Sequence, residues 1–338
     1  MIALQPSTLA DSREAIFPAM AAAVRRLGPE VRPVVEHHLG WLDGNGHPVP
    51  GAGGGKALRA TLALLSAEAV GSPPVVAVPG AVAVELVHNF SLLHDDVMDG
   101  DRERRHRPAA WARFGVGQAI CAGDALLGLA HEVLVERPGD ERRRAALALA
   151  KATGAMIAGQ GQDLALERRL DTTVPQYLSM AAAKTGALLG CSASIGAVLA
   201  GAGPRPVTAL TRFGCRLGLA FQMVDDLLGV WGRSEVTGKP VGSDLRAGKA
   251  SLPIVVALRS GCADADELRR ALVDGVGDEE TVVRMTALIE ACGGRQVAED
   301  EAVRQLAGAL ECLEEVAVPD AVRDRLVELA RFVAEREV

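Results

Sequence analysis

Apolar residues recur at helical spacing along most of this 338-residue chain. No segment shows the sustained alternation of apolar and polar residues that is typical of a β-strand. Only 3% of the residues are aromatic, whereas Ala, Leu, Val and Gly dominate a chain that is 49% hydrophobic. This composition favours closely packed helices over sheets. The sequence therefore predicts an all-α protein, a bundle of ten or more helices without strands.

The predicted helices follow one another without a linker or a shift in composition. Two turn-rich segments, 43–55 and 233–250, separate helices rather than domains, because helical periodicity resumes after each of them. We therefore expect a single domain over residues 1–338. The predicted helices cover residues 11–44, 56–70, 78–99, 114–135, 141–169, 174–202, 206–232 and 251–261, and three or four more complete the C-terminal third.

Net charge, targeting signals, apolar segments and cysteine content exclude several classes of protein. The net charge of −7 argues against nucleic-acid binding, which needs a basic surface. The N-terminus lacks the pattern of a signal peptide, and charged or turn residues interrupt each apolar stretch before about 20 residues, so we expect no transmembrane segment. The six cysteines include no CxxC pair, and we interpret them as reduced, buried thiols of a cytoplasmic protein.

The segment HNFSLLHDDVMDGDRERRHR (88–107) concentrates charge at the end of an apolar helix. Positions i and i+4 share a helix face, so Asp95 and Asp99 point the same way, with Asp96 beside them. A carboxylate stripe next to an apolar one is costly unless it faces water or holds a cation. Clustered carboxylates suit a hard divalent ion such as Mg²⁺, which also takes phosphate oxygens.

A second aspartate pair, Asp225 and Asp226, lies in GLAFQMVDDLLGVWG (218–232), with Gln222 on the same helix face. A lone acidic dipeptide on a helix is usually solvated. Two such pairs, each inside an otherwise apolar helix, favour a functional interpretation. Facing helices of a bundle bring such pairs together around a centre with several metal ions.

Basic residues accompany both pairs. Lys56 and Arg59 lie at a helix start behind a glycine run, where the backbone favours an anion. Lys184 sits inside an apolar helix, and a buried lysine needs an anionic partner. Carboxylates with metal ions, together with several Arg and Lys side chains, form the combination that binds diphosphates. The further candidates are Arg104, Arg105, Lys239 and Lys249, whereas Arg102, Arg107 and Arg142–Arg144 are interpreted as a solvated surface.

Seven segments match, in order and spacing, those of the trans-isoprenyl diphosphate synthase (polyprenyl synthetase) family, which the chain resembles over most of residues 50–260. They are GGGKALR (53–59), LLHDDVMDGDRERRHRP (92–108), AGDALL (122–127), GQGQDL (159–164), AKTGALL (183–189), FQMVDDLLGVWG (221–232) and GKPVGSDLRAGKASLP (238–253). The resemblance implies an isoprenoid synthase fold around a deep central cavity, assembled as a homodimer. It also implies head-to-tail prenyl transfer from an allylic diphosphate to isopentenyl diphosphate, with three Mg²⁺ ions per active site.

The resemblance assigns roles to residues by their position. The implied metal ligands are Asp95, Asp96, Asp99, Asp225 and Asp226. The implied contacts of the allylic diphosphate are Arg104, Lys184 and Lys239, with Lys249 nearby. The implied contacts of isopentenyl diphosphate are Lys56, Arg59, His88 and Arg105, and the residues beside the allylic cation are Thr185 and Gln222.

Four positions depart from the family pattern without removing a basic side chain. Gly229 stands where the family often has a third aspartate in the second motif. His106 stands where it has a glycine. The other two are Ala60, for a proline, and Ala109, for a threonine.

Product length is set, in this family, by side-chain bulk before the first aspartates. Phe90 lies five residues before Asp95 and is large, whereas Ser91 lies four before it and is small. A lone aromatic residue at the fifth position resembles geranylgeranyl (C20) synthases. Aromatic residues at both positions resemble farnesyl (C15) synthases. We therefore expect a C20 product, with C15 as the next alternative.

Three other interpretations compete with chain elongation. A terpene cyclase on the same fold needs no second diphosphate site, so Lys56, Arg59 and Arg105 argue against it, as does the low aromatic content. A non-catalytic subunit of a heteromeric synthase is expected to have lost aspartates that this chain keeps. A regulatory helical binding module is the remaining alternative.

Overall fold

The computed structural model describes residues 6–43, 45–47, 49, 55, 57–232, 241–276 and 278–334, which fold almost entirely into helices. The helices are α1 (Ser7–Val24), α2 (Arg32–His38), α3 (Leu58–Glu68), α4 (Val78–Asp99), α5 (Ala110–Phe114), α6 (Val116–Val135), α7 (Asp140–Leu166), α8 (Val174–Ala181), α9 (Ala187–Leu199), α10 (Pro204–Trp231), α11 (Ser243–Ala247), α12 (Leu252–Arg259), α13 (Ala265–Asp274), α14 (Glu279–Ala291), α15 (Gly294–Glu314) and α16 (Asp320–Ala334). A 3₁₀ turn (Pro74–Ala77) precedes α4 and a π-helical turn (Ala182–Gly186) links α8 to α9. The prediction of an all-α bundle with at least ten helices is confirmed.

The two helices that carry the aspartate pairs lie at the centre of the packing. α4 packs against α3, α6 and α9, and α10 packs against α9 and α15. Small residues allow these close approaches: a Cβ added to Gly196 of α9 would lie 2.0 Å from the carbonyl oxygen of Ala63 in α3. The apolar face of α10 continues into a cluster with α12, α13 and α14. The aspartate-bearing helices are therefore fixed on several sides.

Two predicted helices are interrupted. The segment 11–44 forms α1 and α2, because Gly28 and Pro29 lie between them and the residue before a proline disfavours helix. The predicted helix 174–202 contains the π-helical turn, which hydrophobic periodicity does not reveal. The predicted loop 233–250 contains the short helix α11 within its described residues.

The prediction that the chain has no strands is wrong at one small hairpin. Strand β1 (Glu103–Arg104) pairs with strand β2 (Arg107–Pro108) in antiparallel register, Glu103 opposite Pro108. Two-residue strands are too short to produce an alternating pattern in the sequence. The two turn residues, Arg105 and His106, both have positive φ angles, 53° and 59°. This backbone conformation belongs to the tight hairpin turns that favour glycine.

Replacing His106 by glycine is therefore expected to stabilise the fold by about 1 kcal/mol, since a left-handed conformation costs a residue with a Cβ roughly that much. Urea denaturation of the His106→Gly variant measures the change. His47, an exposed histidine of another loop, offers a control, because His47→Gly relieves no positive φ angle. Equal or lower stability of His106→Gly would show that the turn is not strained.

The interpretation of the six cysteines as reduced, buried thiols is wrong for three of them. Cys262 and Cys292 form a disulfide, with their Cα atoms 5.8 Å apart. Their separation by 30 residues gave no signal, because the pairing depends on how α13 and α14 pack. Cys121 is exposed, whereas Cys191 and Cys312 are buried. The cytoplasmic location stays a prediction.

The expectation of no transmembrane segment stays a prediction, although some helices are long and apolar enough to cross a membrane by length and composition alone. Three segments meet those criteria: Pro74–Asp99, Val116–Val135 and Val174–Leu199. In the most apolar window of each, 56%, 44% and 78% of the residues are buried inside the protein. Their apolar residues therefore serve in large part as contacts between helices.

Candidate active site

The last turns of α4 carry the first aspartate group, and the β1–β2 hairpin folds back onto it. Gly100 ends the helix with a positive φ of 70°, which lets the chain reverse. Arg104 of the hairpin donates from Nε to both oxygens of Asp96, at 2.8 and 2.9 Å, and its Nη2 lies 2.6 Å from Oδ1. Asp96 is 1% exposed, so this paired contact satisfies a carboxylate that has lost its water.

Asp95 and Asp99 share the other face of this turn, as their spacing predicted. Burial raises the pKa of the Asp95 carboxyl to about 6, against the opposing charge of Lys184. Lys249 Nζ lies 3.0 Å from Asp99 Oδ2, which joins the segment after α11 to the end of α4. Although burial disfavours the ammonium, the carboxylates of Asp99, Asp163 and Asp244 raise the pKa of Lys249 above its usual range. The carboxylates on this side of the site therefore favour the binding of a cation.

The second aspartate pair divides into two environments on α10. Asp226 is 4% exposed and accepts hydrogen bonds from the Tyr177 hydroxyl at 2.5 Å, from the Leu252 backbone N–H at 2.6 Å and from Gln222 Nε2 at 2.9 Å. Burial, reinforced by the Asp244 carboxylate, raises the pKa of Asp226 to about 7. Both oxygens of Asp226 therefore already have protein donors, although the sequence suggested a metal ligand.

Lys184 and Thr185 lie in the π-helical turn, which faces α7 and α10. Lys184 Nζ pairs with Asp163 Oδ2 of α7 at 2.5 Å, and Thr185 Oγ1 donates to Gln222 Oε1 at 2.6 Å. Gly159 makes the approach of α7 possible, because a Cβ there would lie 2.3 Å from the Lys184 backbone nitrogen. This lysine, which is half-buried, thus has the anionic partner that its apolar context predicted.

A second group of basic residues, Arg59 and Arg105, lies beside Glu85 and His88, on turns of α4 that precede the aspartates. Arg59 of α3 is near Glu85 and Asp225, whose charges oppose the effect of burial, which lowers the pKa of Arg59. Burial and the charges of Arg59 and Arg105 hold the pKa of His88 well below 6.5, so His88 is neutral at pH 7. Among the described residues, nothing accepts a hydrogen bond from the buried Arg59 Nε.

The side of this second basic group that carries Arg105 faces a pocket next to the N-terminal helix. A small, partly open cavity lies between α1 and α4, with Glu85, Asn89 and Arg105 on its wall. The Glu85 carboxylate accepts the backbone N–H of Ala60 at 3.0 Å, which fixes the start of α3 beside the cavity. A small anion entering this cavity would meet the guanidinium group of Arg105.

Phe90 packs one turn before the first aspartate, against a histidine that reaches the neighbouring helix. The rings of Phe90 and His94 meet edge to face with centroids 4.9 Å apart. His94 Nε2 donates to the Ile120 carbonyl of α6 at 3.1 Å. A Cβ added to Gly123 would lie 2.3 Å from His94 Nε2, so a larger residue here would have to displace the His94 ring. Ser91 donates its hydroxyl to the His88 carbonyl at 2.9 Å.

Alanine at Gly123 is therefore expected to destabilise the fold by about 1–3 kcal/mol, because the added methyl group overpacks the His94 ring. Gly117 of the same helix is a matched control, since a Cβ there would meet nothing within 4 Å. Gly117→Ala should leave stability unchanged or raise it by up to about 1 kcal/mol. Chemical denaturation of both variants measures the difference, and equal stabilities would contradict the close packing of His94.

The structure brings most of the sequence-predicted residues together along α4 and on the elements packed against it. Two basic candidates, Lys56 and Lys239, lie outside the described residues. Arg107, interpreted as part of a solvated surface, instead donates to the backbone carbonyls of His37 and Leu42. That interpretation is wrong for Arg107, because helical spacing gives no hint of a contact with α2.

Sequence reasoning missed several side chains of the site. Asp163 pairs with Lys184, Tyr177 caps Asp226, and Glu85 faces Arg59. Asp244 lies close enough to Asp226 to raise its pKa. A buried lysine signals that some carboxylate must pair with it, but the choice of partner depends on the packing of α7.

The donor set fits Mg²⁺ bound together with a diphosphate. Within the ranges that the structure describes, no three His, Cys, Asp or Glu side chains converge closely enough to hold a metal ion by themselves. Mg²⁺ commonly takes one or two carboxylates and completes its shell with phosphate oxygens and water. Lys249, held among Asp99, Asp163 and Asp244, marks a place where carboxylates from separate segments face one cation.

Comparison with known proteins identifies the fold and the family. The family model described as polyprenyl synthetase matches residues 51–289. The chain belongs to the polyprenyl synthetase family. A (2E,6E)-farnesyl diphosphate synthase of Mycobacterium bovis is 45% identical over 331 residues, 96% of this chain and 92% of that protein. A geranylgeranyl diphosphate synthase of Mycobacterium tuberculosis is 41% identical over 337 residues, 99% of this chain and 95% of that protein.

A solved structure of similar sequence agrees with this family assignment. The polyprenyl synthetase of Streptomyces coelicolor superposes with a TM-score of 0.92 at 50% identity, covering 97% of this chain and 98% of that chain. The isoprenoid synthase fold is thereby confirmed. This polyprenyl synthetase is a prenyltransferase of isoprenoid biosynthesis, in a family that depends on Mg²⁺ and uses isopentenyl and allylic diphosphates.

Proposed function

We propose that this polyprenyl synthetase elongates an allylic diphosphate with isopentenyl diphosphate, head to tail, up to geranylgeranyl diphosphate (C20). The observation that carries the proposal is the presence of two separate basic groups. Lys184, Lys249 and Arg104 lie beside the first aspartates, whereas Arg59 and Arg105 lie beside Glu85 and His88 on earlier turns of α4. Two diphosphates need two such sites, and a cyclase needs only one.

In each aspartate pair, one residue is assigned to metal binding and the other to holding neighbouring side chains in place. We propose Asp95, Asp99 and Asp225 as the metal ligands, as the family resemblance implies, whereas the oxygens of Asp96 and Asp226 accept hydrogen bonds from Arg104, Tyr177 and the Leu252 backbone. Asp96 and Asp226 then act as positioning residues that hold Arg104 and Gln222. Bound Mg²⁺, three ions by family resemblance, would neutralise the charge that builds on the leaving diphosphate.

The basic side chains hold the two substrates in the order that the reaction needs. Arg104, Lys184, Lys249 and the undescribed Lys239 bind the allylic diphosphate, and its C–O bond breaks with both electrons leaving on pyrophosphate. The Thr185 hydroxyl donates its hydrogen bond to Gln222, which leaves the lone pairs of the hydroxyl oxygen to face the allylic cation. The double bond of isopentenyl diphosphate then attacks the cation, and pyrophosphate takes the proton that is lost.

Isopentenyl diphosphate occupies the second basic group. Arg59, Arg105 and the undescribed Lys56 provide its charge, and neutral His88 contributes a hydrogen bond without adding repulsion. The buried Arg59 Nε, for which no described residue is an acceptor, supports this assignment, since a buried donor without a partner is costly. The cavity beside α1 gives this substrate a route from solvent.

The C20 product is supported by the packing around Phe90. Its ring is 6% exposed and is fixed against His94, which α6 holds in turn. Ser91 leaves one side of the same turn open. Farnesyl diphosphate (C15) is the second candidate, favoured by the 45% identity to the Mycobacterium bovis farnesyl diphosphate synthase.

The enzyme is expected to be a homodimer. Several large apolar side chains that are exposed in the single chain lie on the adjacent helices α6 and α7: Val116, Ile120, Val135, Leu147, Ile157 and Leu164. Burying them against a second copy removes this apolar surface from water. Light scattering should give twice the mass of the 35.2 kDa chain, and a mass of one chain at micromolar concentration would contradict the dimer.

Pyrophosphate release distinguishes elongation from cyclisation. The enzyme is incubated with Mg²⁺ and geranyl diphosphate, with and without isopentenyl diphosphate. Elongation predicts release that requires isopentenyl diphosphate, with one pyrophosphate for each five-carbon unit added. Release at the same rate without isopentenyl diphosphate, together with a cyclic hydrocarbon product, would establish a cyclase instead.

A further inference from the structure

The disulfide between Cys262 and Cys292 encloses two short helices of the C-terminal third. Cys262 follows α12 and Cys292 follows α14, with a sequence separation of 30, so the bond closes a loop around α13 and α14. These helices have 10 and 13 residues, and helices of this length depend on tertiary contacts for their stability. The bond therefore ties the end of α14 to the segment that leaves α12.

The helix α12 is anchored on the second aspartate motif. The backbone N–H of Leu252, its first residue, donates to the buried Asp226 carboxylate at 2.6 Å. Further along α12, Ile254 and Leu258 share an apolar cluster with Val230 of α10. A covalent link to the end of α12 thus attaches α14 to the helix that carries the motif.

The helix α14 in turn supports α11. Arg246 Nη2 of α11 lies 2.6 Å from Glu279 Oε1 at the start of α14, and Leu245 packs in the same apolar cluster as Val282. A Cβ added to Gly242, just before α11, would lie 2.5 Å from the Val282 side chain. Because α11 otherwise packs on α10, a displaced α14 would remove one of its two supports.

The position of Lys249 depends on α11. Its backbone N–H donates to the Asp244 carbonyl oxygen of α11 at 2.9 Å, and its Nζ lies 3.0 Å from Asp99 Oδ2. Lys249 is a proposed contact of the allylic diphosphate. The proposed contacts of isopentenyl diphosphate, Arg59 and Arg105, belong instead to α3 and to the β1–β2 hairpin turn. The disulfide is therefore connected through α14 and α11 to one of the two diphosphate sites.

We propose that the Cys262–Cys292 disulfide is a redox-sensitive link that holds α14, and through it α11, against the allylic diphosphate site. Reduction releases α14 and weakens the binding of the allylic diphosphate, whereas the binding of isopentenyl diphosphate is retained. The inference rests on the role proposed for Lys249. It goes beyond that role by making the affinity of this site depend on the redox state of a pair outside it.

A dithiol reductant breaks the link in two steps. Cys262 is partly exposed and Cys292 is 7% exposed, so a thiolate of the reductant reaches the sulfur of Cys262. The S–S bond breaks, and the sulfur of Cys292 leaves as a thiolate that takes a proton. The second thiol of the reductant then attacks the mixed disulfide, which releases Cys262 as a thiol and closes the reductant into its own disulfide.

The affinities for the two substrates, measured in both redox states, test the proposal. The wild-type enzyme is oxidised with glutathione disulfide, and one half is then reduced with dithiothreitol. Peptide mapping without reductant shows whether Cys262 and Cys292 are linked, and initial rates with Mg²⁺ give the KM for geranyl diphosphate and for isopentenyl diphosphate. Cys262→Ser/Cys292→Ser removes the link, and Cys121→Ser, at an exposed free cysteine of α6, is the matched control.

Reduction should raise the KM for geranyl diphosphate by about three- to tenfold, because apparent affinity falls with the fraction of protein in the binding-competent conformation. The KM for isopentenyl diphosphate should stay within about twofold, and the Tm should fall by about 5 °C. Reoxidation should restore the original values. The double serine variant should have the raised KM with and without dithiothreitol, whereas Cys121→Ser should respond like the wild-type enzyme.

Four results are decisive against the inference. An unchanged KM for geranyl diphosphate on reduction, even with a lower Tm, would show that the link only stabilises the fold. An equal rise in both KM values would show a general loosening. Peptides of Cys262 and Cys292 that stay unlinked after oxidation would remove the switch itself. A lack of incorporation by the oxidised wild-type enzyme would overturn the proposed function, and with it the role of Lys249.

Discussion

Asp95→Asn should lower kcat by about three orders of magnitude while leaving the protein at least as stable as the wild type. Asparagine keeps the shape of the side chain but provides no negative charge for a metal ion. Losing one group that stabilises charge in the transition state typically costs 10²- to 10³-fold or more. Burial already disfavours the Asp95 carboxylate, whose pKa is about 6, so its removal relieves the folded state of a desolvation cost.

Initial rates of isopentenyl diphosphate incorporation at saturating Mg²⁺ measure this effect, with Tm as the control for folding. Asp140→Asn is the matched variant, because Asp140 is an exposed aspartate at the start of α7 whose carboxylate pairs with Arg143. Its rate should stay within twofold of the wild-type rate. A rate above a tenth of the wild-type value for Asp95→Asn would show that Asp95 is not a metal ligand.

Phe90→Ala should lengthen the product beyond C20, to C25 and longer chains. The Phe90 ring is buried one turn before the aspartates and is fixed by His94, so its removal opens space in the direction in which the prenyl tail grows. Truncating a buried phenylalanine costs about 3–5 kcal/mol of stability, so the assay belongs at a temperature well below the Tm of the variant. Chromatography of the dephosphorylated products gives the chain length.

The adjacent position supplies the opposite change. Ser91→Phe should shorten the product to C15, because it places a second ring on the turn that faces the tail. Ser91→Ala is its matched control, since it removes only the hydroxyl that donates to the His88 carbonyl. It should leave the product at C20. An unchanged product in both Phe90→Ala and Ser91→Phe would show that other walls of the cavity set the length.

Helical periodicity was sufficient to place the aspartates. The spacing of Asp95 and Asp99 put them on one face, and the structure agrees because α4 is regular as far as Gly100. The same reasoning treated Asp96 and Asp226 as equivalent to their neighbours. Their separate roles depend on Arg104, Tyr177 and the Leu252 backbone, which come from elements that no local pattern connects with α4 or α10.

Contacts between distant segments explain the other differences between the sequence predictions and the structure. The pairing of Lys184 with Asp163 requires α7 to approach the π-helical turn at Gly159, and the pairing of Cys262 with Cys292 requires α13 and α14 to pack. Gly229 was recognised as a departure from the family pattern, but a single sequence does not tell which side chain lies against it. Such information exists only in the tertiary structure.

The most direct test of the proposed function is a product analysis with the purified wild-type enzyme. It is incubated with Mg²⁺, labelled isopentenyl diphosphate and, separately, dimethylallyl, geranyl and farnesyl diphosphate. We expect incorporation with an allylic primer, an absolute need for the divalent ion, and a product that stops at geranylgeranyl diphosphate. No incorporation with any of the three primers would contradict the proposed function.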